Sequence, residues 1–119
     1  TCSAAISACE KLEQLDRALE LFDSMRQQLL IPNVITYSAA ISACEKGKQP
    51  ERALELFHDM QQRGHTPDVI TYNAMISACE KGKLPQLALE LFHDMRTHGL
   101  TPTVITYNAA ISACEKVKH

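Results

Sequence analysis

The residues that could do chemistry in this chain are five cysteines, two histidine–aspartate neighbours and a row of lysines, and nearly all of them recur. Cys2, Cys9, Cys44, Cys79 and Cys114 are an odd number without a CxxC pair, so neither a disulfide framework nor a zinc knuckle is indicated, and a reducing compartment fits best. Four of them stand at one place in a repeated segment. Stacked helices lie about 8–10 Å apart, too far for shared ligation or a bridge, so these cysteines read as small packing residues. His58 and His93 sit beside Asp59 and Asp94, and an isolated surface His–Asp pair is not a metal site. Every polar residue recurs because its surroundings recur, and no nucleophile, base and orienting group form a unique cluster. The expectation is a protein that binds and does not catalyse, with no cofactor and no metal.

That recurrence dictates the architecture. ISACEK begins at Ile6, Ile41, Ile76 and Ile111, 35 residues apart each time, and a fixed period of this size marks a repeat array. Residues 34–68 match residues 69–103 at 25 of 35 positions. The chain therefore divides into a partial unit at 1–33, full units at 34–68 and 69–103, and the first helix of a fourth at 104–119. Thr1 aligns with Thr36, Thr71 and Thr106, so the first unit is entered late. Neither end resembles the polar capping unit that finishes a solenoid, which points to a piece of a longer array.

Each unit holds two helical patterns. Tyr37, Ile41 and Cys44, with Ala40 beside them, make one apolar stripe from Ile35 to Lys46, stopped by Gly47. Ala53, Leu56, Phe57 and Met60 make the second, with Pro50 in the first turn, where its missing N–H is harmless, and Gly64 as a left-handed stop. Thr66, Pro67 and Asp68 turn the chain into the next unit. In the first unit Leu12 and Leu29 replace these two glycines, so its turns should differ locally. One hairpin cannot bury both of its stripes, so neighbours must stack. The predicted fold is all-α: an α–α superhelical solenoid of tandem helical hairpins with one helix layer lining a groove.

Composition agrees. Trp is absent and Phe and Tyr number three each; Ala, Leu, Ile, Cys and Met carry the apolar content, which suits close helix packing better than a sandwich or barrel. A net charge of −2 argues against bulk electrostatic capture of nucleic acid, so any such site must be local. No apolar run approaches the roughly 20 residues of a membrane span, and no charged-then-apolar leader precedes the first unit. No membrane partner is expected.

The segment VITYSAAISACEKGKQPERALELFHDMQQRGHTPD resembles a pentatricopeptide repeat (PPR) of the 35-residue P type, through its VITYS or VITYN opening, KGK turn, ALELF second helix and GxTPD exit. The likeness runs through essentially the whole chain. The period separates it from the 34-residue tetratricopeptide unit, whose Trp and LGxxY pattern are missing here. The resemblance implies sequence-selective binding of single-stranded RNA, one base per repeat along a groove lined by the first helices, with the N-terminal repeat toward the RNA 5′ end. It also implies a mitochondrial or chloroplast setting, a part in RNA processing, stability, editing or translation, and protein partners reached through flanking regions.

Carried onto this chain, the resemblance makes Ile35, Ile70 and Ile105 the side chains that clamp bases; from the residues alone, a core contact at the helix start reads as well. The first base-selecting position falls on Ser3, Ser38, Asn73 and Asn108. A small hydroxyl leaves room for a purine and a longer amide meets a pyrimidine edge, though Ser and Asn also suit a helix-start cap. The second falls on Asn33, Asp68 and Thr103. A carboxylate can accept from the N1 and N2 hydrogens of guanine, and an amide that donates and accepts suits adenine; a turn residue after Pro would have the same composition. Ser3 with Asn33, Ser38 with Asp68, and Asn73 with Thr103 thus imply A, then G, then C or U, and Asn108 leans toward another pyrimidine.

Lys11, Lys46, Lys81 and Lys116 recur near the end of the first helix and are expected to form a ladder for phosphates, thickened by Lys48, Lys83 and Lys118. Glu51, Glu55, Glu90, Asp59 and Asp94 fall on the second helix, toward the outer layer. Each lysine could equally serve its own helix C-terminus through the dipole. The competing function is a helical scaffold holding a protein or peptide in the same groove.

Overall fold

The computed structural model describes residues 15–28 and 32–115, and no strand occurs among them. The elements are α1 (Leu15–Gln27), α2 (Val34–Lys46), α3 (Pro50–Gln62), α4 (Val69–Lys81), α5 (Pro85–Thr97) and α6 (Val104–Glu115). Local chemistry sets the boundaries. Pro50 and Pro85 open α3 and α5, where a residue without an N–H leaves no helical bond unmade. Asn33 and Asp68 cap α2 and α4 through their side chains. The expected stripes are the buried faces: Tyr37, Ala40, Ile41 and Cys44 on α2, and Ala53, Phe57 and Met60 on α3, with Leu56 only partly covered.

The helices form two layers, and the layers are not equally tight. α2, α4 and α6 stack directly on one another, whereas the backbones of α1, α3 and α5 approach closely only the helices of the other layer, and α1 reaches α3 through the Arg26–Asp59 pair at 4.0 Å. Alanines allow the close approach: Ala39, Ala40 and Ala43 on α2, Ala74 and Ala78 on α4, and Ala109, Ala110 and Ala113 on α6 are all buried. Between α1 and α3 a cleft stays open, lined by Leu19, Phe22, Arg26, Arg52 and Leu56. Of two layers that stack at different spacings, the tighter one lies inside the curve. The first helix of each hairpin therefore lines the concave side.

Ring contacts join each hairpin to the next. Phe22 meets Tyr37 at 5.3 Å between centroids, Phe57 meets Tyr72 at 5.4 Å and Phe92 meets Tyr107 at 5.1 Å, all edge to face; such pairs contribute about 0.5–1.5 kcal/mol each beyond their buried area. Two tyrosines also tie the layers within a hairpin: Tyr37 donates to Asp59 at 2.7 Å and Tyr72 to Asp94 at 2.6 Å. Asp59 and Asp94 are thus half-buried seam residues, not part of a free acidic outer face. Burial and the Asp59 hydrogen bond push the Tyr37 hydroxyl up to about 12. Burial alone would raise Asp59, but the Tyr37 and Arg63 hydrogen bonds outweigh it and hold the carboxyl below its ordinary range. The folded-state value of Tyr37 lies above the unfolded one, so its contribution is intact below about pH 10 and is lost as pH rises toward 12. Alkaline unfolding followed by circular dichroism should therefore begin near pH 10, and Tyr37→Phe should reduce that dependence.

The turns depart from the simplest expectation. Gly64 and Gly99 are left-handed, with φ of +87° and +82°, but Gly47 and Gly82 are not, with φ of −83° and −86°. These two are small for another reason. A Cβ on Gly47 would lie 2.7 Å from Leu15 Cδ2, and one on Gly82 would lie 2.6 Å from Pro50 Cγ, because the start of each second helix presses on the next hairpin's turn. The left-handed position falls one residue later, on Lys48 and Lys83, at φ of +59° and +60°. Leu12 and Leu29 lie outside the described residues. A left-handed non-glycine costs about 1–2 kcal/mol, and glycine's extra chain entropy offsets about 0.5–1 of that. Lys48→Gly should therefore raise stability by about 0.5–1 kcal/mol, visible as a higher thermal midpoint.

Candidate nucleic-acid interface

At the N-terminal end of each inner helix the same cluster is built. Asn33 Oδ1 accepts the Thr36 N–H at 3.0 Å, and Asp68 Oδ1 accepts the Thr71 N–H at 3.0 Å. Each threonine hydroxyl reaches back to the cap, closing a capping box. Thr103 does the same for α6 more loosely, accepting the Thr106 N–H at 3.4 Å. The helix-start caps are therefore Asn33, Asp68 and Thr103. Ser38 and Asn73 lie deeper, in the second turn of their helices, and do not cap.

Ser38 and Asn73 instead face the following hairpin. Ser38 Oγ lies 2.6 Å from Thr71 Oγ1, and Thr106 Oγ1 donates to Asn73 Oδ1. Thr71 is bonded in turn to Asp68, and Thr106 is paired with Thr103 at 3.2 Å. The structure thus brings Ser38 together with Asp68, and Asn73 with Thr103, each pair joined through a fully buried threonine. Ser38 is 7% exposed, Asn73 is intermediate, and Asp68, Thr103, Asn33 and Asn108 are exposed. Ser3 lies outside the described residues.

Two residues past each cap an isoleucine stands in solvent: Ile35, Ile70 and Ile105 are 65%, 65% and 64% exposed. A core contact at the helix start would have buried them.

Three family models match the chain: "Pentatricopeptide repeat domain" over residues 55–116, "PPR repeat family" over 1–46 and "PPR repeat" over 35–65. The first spans just over half of the chain. This chain belongs to the pentatricopeptide repeat family. No curated protein matches it, but solved structures do. PPR10 in complex with an 18-nt psaJ RNA element is 28% identical, with a TM-score of 0.88 over 99% of this chain and 17% of its own length. PPR10 from maize gives 30% and 0.84, over 96% of this chain and 16% of its own. The PPR domain of Arabidopsis thaliana protein-only RNase P 1, solved in complex with tRNA, is 19% identical with a TM-score of 0.83, over 98% of this chain and 64% of its own, and shares the fold. The chain spans about a sixth of PPR10.

Along this PPR array the lysines stand apart from the cap clusters. Lys46 and Lys81 are eight residues beyond Ser38 and Asn73, about 12 Å along the helix, at the opposite edge of the inner layer. Lys81 is ion-paired with Glu45 of the preceding hairpin, so a phosphate would have to compete with that carboxylate. Lys46 is half-buried; Lys11 and Lys116 lie outside the described residues. Cys44 and Cys79 are buried, and burial pushes both thiols up to about 11, as unreactive packing residues require. No helix among the described residues is long and apolar enough to cross a membrane.

Thr71 and Thr106 were hidden from residue-by-residue reading because they sit between two roles. The signal was present as the spacing Asn33-x-x-Thr36 and Asp68-x-x-Thr71, which has the form of a capping box with a hydroxyl in place of the usual Glu.

Proposed function

We propose that the chain binds single-stranded RNA along its concave face, one base per repeat, as a segment of a larger RNA-binding array. The repeats are 1–33, 34–68, 69–103 and 104–119. Ile35, Ile70 and Ile105 clamp bases; Ser38 with Asp68 takes guanine, and Asn73 with Thr103 takes a pyrimidine. Ser3 with Asn33 takes adenine ahead of them, so the target contains 5′-A-G-pyrimidine, followed at Asn108 by a further pyrimidine. Lys46 and Lys81, with Lys11 and Lys116 at the same place in their repeats, hold phosphates. The parent protein acts in a mitochondrion or chloroplast on the processing, stability, editing or translation of a transcript.

The periodic exposure of three isoleucines carries this reading. An exposed branched aliphatic at the same place in each of three repeats gains nothing for folding, and it stands beside the capped pairs at the spacing of stacked helices. PPR10, so similar over nearly the whole chain, has been solved with RNA bound.

Fluorescence anisotropy at low salt, with short RNAs carrying AGC or AAC, tests it. AGC should bind better, and Asp68→Asn should shift preference toward AAC. If neither RNA binds above a duplex control, the assignment fails.

The Lys81–Glu45 pair and the net charge of −2 favour a second reading, a scaffold for a peptide. Joint Lys46→Glu and Lys81→Glu substitution separates the two. For RNA, removing two phosphate contacts should flatten the log–log salt slope by about 1.4, whereas peptide binding has no such slope to lose.

A further inference from the structure

The side chains proposed to select a base in the repeat 34–68 meet on a residue of the next repeat. Thr71 is fully buried, and its hydroxyl has one proton and two lone pairs to share. It accepts the Asp68 backbone N–H at 3.3 Å, lies 2.9 Å from Asp68 Oδ1 and lies 2.6 Å from Ser38 Oγ. A carboxylate only accepts, so the single Thr71 proton goes to Asp68. One lone pair is left, and it takes the proton of Ser38. One carboxylate therefore sets the direction of two hydroxyls.

The consequence is chemical. With its proton turned toward Thr71, Ser38 has only lone pairs to offer a ligand, and Asp68 offers Oδ2. The pair presents acceptors alone. Guanine carries adjacent donors at N1 and N2, whereas adenine places an acceptor at N1, where acceptor would meet acceptor. We propose that Thr71 is a positioning residue for specificity: its buried hydroxyl locks Ser38 and Asp68 as paired acceptors, and so makes this repeat prefer guanine to adenine. The proposal rests on the base-per-repeat reading above.

The neighbouring seam runs the other way, and the difference supports the argument. Thr106 donates to Asn73 Oδ1 and accepts the Thr103 N–H at 3.0 Å, so the Thr103 hydroxyl, 3.2 Å away, donates to Thr106. That leaves the Asn73 Nδ2 hydrogens as donors and a Thr103 lone pair as acceptor. A donor beside an acceptor fits the N3 and N4–H of cytosine, or the O4 and N3–H of uracil. Each threonine passes on the polarity of the strongest acceptor in its seam.

The test compares AGC with AAC RNAs by anisotropy on the 119-residue chain, with thermal unfolding to confirm the fold of each variant. Thr71→Val should lower the AGC-to-AAC affinity ratio by about fivefold to tenfold, the worth of one oriented hydrogen bond, and Thr71→Ser should keep it. In an Asp68→Asn background the amide oxygen can still take the Thr71 proton, as Asn33 takes that of Thr36, so Ser38 stays an acceptor while Nδ2 replaces Oδ2 as a donor, and the preference should move toward AAC. A role in folding alone would lower both affinities together and leave the ratio unmoved. Ser38→Ala leaves the Thr71 cap whole and must also lower the ratio; an unchanged ratio there overturns the relay even if Thr71→Val does not fold. If the wild type prefers AGC and Thr71→Val keeps that preference, the relay is wrong and base selection stands. If the wild type shows no preference, both fall.

Discussion

Truncating Ile76 to alanine is expected to destabilise the array by about 2–5 kcal/mol, while the same change at Ile111 should cost no more than about 0.5 kcal/mol. Both residues occupy the first position of an identical ISACEK stretch. Ile76 is fully buried on α4, which has α2 on one side and α6 on the other; Ile111 on α6 is 65% exposed. Solenoid stability is close to a sum of repeat and nearest-neighbour terms, so what the side chain contributes depends on the interface it fills. A loss of the larger size would remove much of the 5–15 kcal/mol typical of a domain. Urea midpoints of the two variants decide it, and equal losses would show that the stacked interfaces are not where the stability resides.

The helices and their turns are legible in the sequence, and the seams where helices meet, within a hairpin and between hairpins, are not. The period, the helix spans, the prolines at the starts of α3 and α5 and the left-handed Gly64 all follow from chemistry within a few residues. What remained out of reach depends on which residues the stacking brings together. Tyr37 with Asp59 and Tyr72 with Asp94 are 22 residues apart, and Ser38 with Thr71 and Asn73 with Thr106 are 33 apart. Gly47 stops its helix as expected, yet what constrains it is a leucine of the preceding hairpin, and the strained backbone sits on Lys48. Asp59 and Asp94 looked like outer-surface acids because nothing local shows that a tyrosine of the other layer turns toward them. For the candidate site, the proposed selecting positions rest on the family resemblance; from the residues alone Ser38 and Asn73 suit a helix-start cap and Asn33 and Asp68 a turn, whereas Asn33 and Asp68 are the residues that cap. A capping box needs its second hydroxyl to be counted, and in the sequence Thr36, Thr71 and Thr106 stand out only as markers of register.

Replacing Ile35, Ile70 and Ile105 together by alanine is expected to weaken RNA binding by on the order of a hundredfold without lowering the thermal midpoint. Base stacking is worth about 1–3 kcal/mol per base on aromatic faces. An aliphatic clamp belongs at the low end, so three positions at about 1 kcal/mol each give about 3 kcal/mol, or two decades in affinity. Stability should hold because the three side chains are about two-thirds exposed and alanine is the better helix former. Salt separates this effect from that of the lysines: losing a stacking surface lowers affinity at every ionic strength and leaves the salt slope alone, whereas losing a phosphate contact changes the slope. Ile70→Tyr supplies the opposite arm, since a larger flat face should tighten binding to every base at that position without altering which base is preferred. Undiminished affinity in the triple alanine variant would remove these isoleucines from the interface. The exposed aliphatic row would then have to be explained by a peptide or protein lying in the groove.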